Sequence, residues 1–171
     1  MSSYTSDDKE FYEVEDYILQ MMDNAARFGI TSREMYGSTW PIPHEVKFDT
    51  INEVQVYIDR IKISEWAKAE WPRHSKRVLV KPHLTGREDE GEYHGTAYHQ
   101  DGVIYIPEHG AGHSRFMREL YVLHELAHYY SSDNHHTDKF RATLIKLVEN
   151  QIDPMFAMFY RICISAGPDN L

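Results

Sequence analysis

His124-Glu125-Leu126-Ala127-His128 decides how this chain reads. An H-E-x-x-H stretch on a helix sets two histidines four residues apart on one face, with Cβ atoms about 5–6 Å apart. From that separation both imidazoles can reach one metal ion at Zn–N distances of about 2.0–2.1 Å. Glu125 follows the first histidine and is expected at the same mouth, where a carboxylate can take a proton from water at the metal. The flanks suit a helix. Phe116, Leu120, Leu123, Leu126, Ala127 and Tyr130 fall at steps of three and four, an amphipathic pattern over 116–130, with Ser114 as its expected N-cap. Eleven histidines in 171 residues weaken any single motif match, so the helical context and a further ligand give this one its weight.

Catalytic zinc keeps three protein ligands and leaves a fourth position for water. Downstream, His136 opens a second run in which Phe140, Leu144, Leu147 and Val148 recur at helical spacing, with Thr137 or Asp138 to cap it. His136 is the preferred third ligand. Its neighbour His135 satisfies the same spacing, and Glu149 with Asp153 echoes the thermolysin-like pattern in which a later helix supplies a glutamate, so both remain alternatives. The extended metzincin pattern needs glycine at 131 and histidine at 134. This chain has Ser131 and Asn134 there, and that class does not fit.

The residues Val103-Ile104-Tyr105-Ile106-Pro107, then Val122 to His128, then His136 with Phe140 four positions later, resemble a known group. They are similar to the small HELAH-type metallohydrolases of actinobacteria and their phages, relatives of the SprT-like minimal zincins. The resemblance covers about Thr96 to Val148 and fades toward both ends. It implies His124, His128 and His136 as metal ligands, Zn2+ as cofactor and Glu125 as general base. In SprT-like proteins the last element reads H-G-x-x-F; here Thr137 stands in place of the glycine and His135 precedes the ligand candidate.

Composition narrows the class. A chain of 171 residues with 42 % hydrophobic and 26 % charged residues is long enough for one domain with a real core, expected over 1–171 and centred on about 76–150. No apolar stretch approaches the roughly 20 residues of a membrane span, and Met1 to Asp8 lack the features of a signal peptide, so a cytoplasmic protein without a membrane partner is expected. The lone Cys163 sits in an apolar run and reads as a buried thiol. A net charge of −9 argues against a nucleic-acid partner, because phosphate binding relies on lysine and arginine. One stretch runs against that average: Arg60, Lys62, Lys68, Arg73, Lys76, Arg77 and Lys81, interleaved with Trp66 and Trp71. Glu65 and Glu70 dilute it, and tryptophans at that spacing read as core.

Along the chain, Glu10 to Phe28 reads as a first helix ended by Gly29. Trp40-Pro41-Ile42-Pro43 reads as an extended connector, and Asp49 or Thr50 caps a second helix through Ile61. Pro72 marks a break. Arg77 to Lys81 is a β-rich run, Leu84 to Glu92 a charged loop, and Thr96 to His99 and Val103 to Ile106 a hairpin around Asp101-Gly102. The expected fold is therefore α+β: minimal zincin-like, with a small mostly antiparallel sheet, an H-E-x-x-H helix, a following ligand helix, and additional N- and C-terminal helices. Val103 to Ile106 is the expected edge strand for an extended peptide or protein substrate, with an ordinary paired core strand as the equal alternative. The oxyanion stabiliser stays unassigned among Tyr129, Tyr130, His99 and His113. The expected activity is that of a zinc metallopeptidase or related hydrolase. Competing readings are a non-catalytic phage or host-interaction protein with a structural metal, and a DNA-associated protease.

Overall fold

The computed structural model describes residues 5–82, 96–98, 102–107 and 113–171. Leu84 to Glu92, the expected charged loop, and Gln100-Asp101 of the hairpin lie outside them. The architecture is α+β, helices with short strands, and the chain divides into two compact units: Met1–Glu45 with His135–Leu171, and Val46–Asn134. Among the described residues no helix is long and apolar enough to cross a membrane.

The first unit begins with α1 (Ser6–Phe28), which starts four residues earlier than its apolar periodicity because Thr5 and Asp8 form a reciprocal cap. The Asp8 N–H donates to the Thr5 hydroxyl at 3.2 Å and the Thr5 N–H donates to the Asp8 carboxylate at 3.0 Å, so two otherwise orphaned amides are satisfied. Phe11, Val14, Ile18, Met22 and Ala25 form the buried stripe, and Gly29 ends the helix in the left-handed conformation, φ 67°. Of the extended connector, Trp40 and Pro41 close a strand, and Ile42 and Pro43 lie beyond it. β1 (Ser32–Met35) and β2 (Ser38–Pro41) pair antiparallel. Tyr36 and Gly37, φ 54° and 72°, supply the two left-handed residues that match a tight turn to the strand twist. Trp40 holds the hairpin from inside: its indole N–H donates to the Met35 carbonyl at 2.9 Å and its ring lies 5.6 Å from that of Phe159.

Two helices complete this unit. Thr137 caps α6 (Asp138–Gln151), and Asp153, with Pro154 in the first turn, caps α7 (Pro154–Ala166). Phe140, Leu144, Leu147 and Val148 of α6 and Phe156, Phe159, Tyr160 and Cys163 of α7 are buried; α6 packs on α7, and α7 on α1 and β2.

The second unit is built on α2 (Ile51–Ile63, capped by Thr50), α3 (Glu65–Glu70) and a three-stranded sheet of β3 (Leu79–Pro82), β4 (Thr96–Tyr98) and β5 (Val103–Ile106). The order is β3-β5-β4, with β3 parallel and β4 antiparallel to β5. Two of the three strand pairings among the described residues are antiparallel, and Val103–Ile106 is the central strand, paired on both sides, so of its two readings the ordinary core strand holds and the substrate edge does not. The edge at β3 is partly occupied too: the Gln55 side chain of α2 donates to the Val78 carbonyl at 2.9 Å and accepts from the Val80 N–H at 2.8 Å.

α4 (His113–Phe116) and α5 (Glu119–Ser131) follow. Ser114 therefore lies inside a short separate helix, and the N-cap of α5 is Arg118, which makes no side-chain cap bond. Other groups fix that helix start. The Phe48 N–H donates to the Met117 carbonyl and the Glu119 N–H to the Val46 carbonyl, both at 2.9 Å. The Glu119 carboxyl accepts from the Val46 N–H at 3.0 Å and the Tyr57 hydroxyl at 2.6 Å, and an acidic residue in a first turn also suits the helix dipole. Every residue of α5 from Glu119 to Ser131 is buried. The helix is thus dry on every face, where its spacing suggested an amphipathic one.

Candidate metal centre

His124 and His128 stand one turn apart on α5, and the structure brings them together inside the second unit. Their Nε2 atoms face each other at 3.2 Å, and the two residues are 2 % and 8 % exposed. The tautomer of His128 follows from its other nitrogen. α5 ends at Ser132, whose left-handed backbone (φ 54°, ψ 38°) turns the chain so that the Asp133 carbonyl lies 2.7 Å from His128 Nδ1. A carbonyl only accepts, so Nδ1 carries the proton and Nε2 keeps its lone pair. Tyr121 stacks parallel to the His124 ring, with centroids 6.1 Å apart and an interplanar angle of 7°. Glu125 is buried on the same helix, 4 % exposed.

In the first unit the Asp8 carboxylate organises the downstream histidines. One oxygen accepts from both the backbone N–H and the Nδ1–H of His136, at 3.0 and 2.8 Å. The other accepts from the Thr5 hydroxyl at 2.8 Å and from His135 Nδ1 at 3.0 Å, besides the Thr5 amide. Burial alone would raise the Asp8 carboxyl. The amides of His136 and Thr5, the Thr5 hydroxyl and the His135 imidazole outweigh it and hold the group well below the usual carboxylate range. His136 is buried at 3 %, clamped between the parallel Phe11 ring at 4.5 Å and the edges of Tyr12 and Phe140 at 4.6 and 4.8 Å. With Nδ1 donated to Asp8, its Nε2 also presents a lone pair.

The competing ligand candidates are placed differently. The His135 side chain is 45 % exposed, and Glu149 is exposed and lies 3.4 Å from Lys146. His124 and His128 of the second unit and His136 of the first are all buried, and each offers a ring nitrogen to a metal ion. The donor chemistry fits such an ion. Two Nε2 atoms 3.2 Å apart, each about 2.0–2.1 Å from a shared ion, subtend roughly 100° at it, close to a tetrahedral angle.

The other expected groups have ordinary roles or lie outside the described residues. His99 is outside them, and so is the side chain of His113. Tyr130 stacks on Trp71 at 4.1 Å, and the Tyr129 hydroxyl donates to the Lys76 carbonyl at 3.3 Å. Burial raises both phenols. Several cations of the basic stretch are engaged: Arg77 with Asp59 at 2.7 Å, Lys68 with Glu65 at 2.8 Å, and Lys62 with the His74 carbonyl and the faces of Tyr129 and Tyr130. Trp66 and Trp71 pack edge to face at 5.7 Å.

Sequence reading missed two groups, the Asp133 carbonyl and Asp8. The pattern Thr5-x-x-Asp8 carries a legible signal for a helix start, but nothing near it in the chain points to a histidine 128 residues away. Comparison with protein-family models, with curated proteins and with solved structures found no match to this chain.

Proposed function

We propose that the chain is a zinc-dependent hydrolase of minimal zincin-like type, a metallopeptidase acting on a peptide or protein substrate. In this reading His124, His128 and His136 hold the metal and Glu125 is the general base. The observation that carries it is the buried pair of facing Nε2 atoms on α5, one with its tautomer set by the Asp133 carbonyl, on a helix that also carries Glu125. His136, with Nδ1 committed to Asp8, has the donor character of a third ligand.

A zinc ion held by three neutral imidazoles supplies undiminished positive charge that polarises a carbonyl and makes water a stronger acid. Glu125 accepts the proton of the attacking water as the new C–O bond forms. It then delivers that proton to the amide nitrogen as the C–N bond breaks, leaving one carboxylic acid and one amine. The Nδ1–H bonds to the Asp133 carbonyl and the Asp8 carboxylate orient the His128 and His136 rings.

The test compares metal content and peptide hydrolysis in the wild type, Glu125→Gln, His136→Ala and His135→Ala. The expected result is about one zinc per chain, kept in Glu125→Gln and His135→Ala and lost in His136→Ala. Hydrolysis should fall about 10²–10⁴-fold in Glu125→Gln. A wild type without zinc overturns the site. One that holds zinc but cleaves no member of a peptide library overturns the enzyme and leaves a structural metal.

A further inference from the structure

We propose that Asp8 is a positioning residue of this metal centre, acting through His136 and deciding which of two adjacent histidines serves as ligand. The inference rests on the reading of His136 as a ligand and adds a residue far outside the segment that carries the H-E-x-x-H motif.

Asp8 is 2 % exposed and accepts five hydrogen bonds, two on the oxygen shared by the His136 amide and ring and three on the oxygen shared by Thr5 and His135. An ionised carboxylate is acceptor-only, so each imidazole must present a proton at Nδ1. For His136 this leaves Nε2 as the donor atom. The parallel Phe11 ring and the Tyr12 and Phe140 edges oppose a ring flip that would bring the wrong nitrogen forward. A carboxylate on the far nitrogen also raises the basicity of a ligating histidine, and removing such a partner costs about 10–100-fold in metal affinity.

The same carboxylate sorts the neighbours. His136 is bound twice, through backbone and ring, on the buried oxygen. His135 is bound through its ring alone and remains half exposed. Sequence spacing does not separate the two histidines; Asp8 does. Because Asp8 is also part of the α1 cap, a purely structural role is the competing account, and Thr5 tells the two apart. Thr5→Ala removes the hydroxyl from the cap yet leaves both His136 contacts in place.

The experiment measures the zinc Kd by competition with a chromophoric chelator in the full chain. Unfolding midpoints and the imidazole nitrogen NMR signals of His136 are recorded alongside. Asp8→Ala is expected to weaken zinc binding about 10–100-fold and to mix the His136 tautomers. Asp8→Asn keeps an acceptor oxygen without the charge and should fall between. Thr5→Ala should lower the midpoint with the Kd unchanged. If Asp8→Ala lowers the midpoint as Thr5→Ala does while the Kd and tautomer stay as in the wild type, the proposal is overturned. Should Asp8→Ala not fold, an unchanged Kd in Asp8→Asn overturns it equally. A wild type that binds no zinc refutes instead the metal-site reading beneath it.

Discussion

Replacing Phe11 by alanine tests whether α1 holds His136 in place by packing. Phe11 is 2 % exposed; its ring lies 4.5 Å from His136 at 7° and 5.5 Å from Phe140 at 85°. Truncating a buried phenylalanine costs about 3–5 kcal/mol, the sum of lost transfer energy and the cavity left behind. Of this, each favourable ring pair supplies about 0.5–1.5 kcal/mol beyond buried area. Phe11→Leu keeps most of the volume and loses the flat face, so it should cost less than about 1.5 kcal/mol. With urea m-values of about 1–3 kcal/mol/M, Phe11→Ala should lower the midpoint by about 1–5 M. Because the chain forms two compact units, far-UV circular dichroism should be joined by hydrogen exchange, with loss of protection concentrated in α1, α6 and α7. Zinc affinity should fall in both variants, more in the alanine. A loss below about 1 kcal/mol in Phe11→Ala, with protection unchanged, would refute the packing argument.

Two further outcomes concern other buried groups. Tyr57→Phe deletes the 2.6 Å donor to the Glu119 carboxyl without changing shape, and should destabilise the chain by about 1–3 kcal/mol in urea unfolding; a cost under about 0.5 kcal/mol would show that this bond does not hold the start of α5. Burial pushes the Cys163 thiol up to about 11, so a disulfide reagent at pH 8 should label it slowly in the folded chain and rapidly in denaturant. The unfolded chain releases that proton at lower pH than the folded one. This thiol's contribution to stability is therefore complete below the ordinary thiol range and is lost as pH climbs toward about 11. Fast labelling of the folded protein would contradict the burial.

Periodicity located the helices well where one apolar stripe faces a core. α2 and α6 lie where their spacing and caps place them, α1 begins four residues before its apolar periodicity, and Thr50, Thr137 and Gly29 serve as expected. α5 was found for the right reason and misjudged in its surroundings. Leucines and aromatics at steps of three and four fit one wet face as easily as none, and only packing shows that Glu119 to Ser131 are dry throughout. The β1–β2 hairpin escaped because Ser32–Met35 is mostly exposed and has no alternation of apolar residues. The parallel pairing of β3 with β5 is non-local, so no short window reports it. The same limit applied at the site. The histidine pair on α5 is a four-residue pattern and was readable, whereas the carboxylate that contacts both His135 and His136 lies at the other end of the chain.

The discontinuity of the first unit has a consequence for folding. Joining Asp8 to His136 closes a loop of 128 residues, and loop entropy rises by about 0.6 kcal/mol for each doubling of length. The second unit lies wholly within that loop, and its Lys47–Arg118 bridge ties together two points about 70 residues apart. Once that bridge has formed, the path still to be closed is roughly halved, which lowers the closure cost by about 0.6 kcal/mol. The high contact order of the α1 cap and His136 is thus partly relieved by structure that forms between them. A late-closing first unit would leave Asp8 and His136 apart until the segment carrying His124 and His128 has already taken shape.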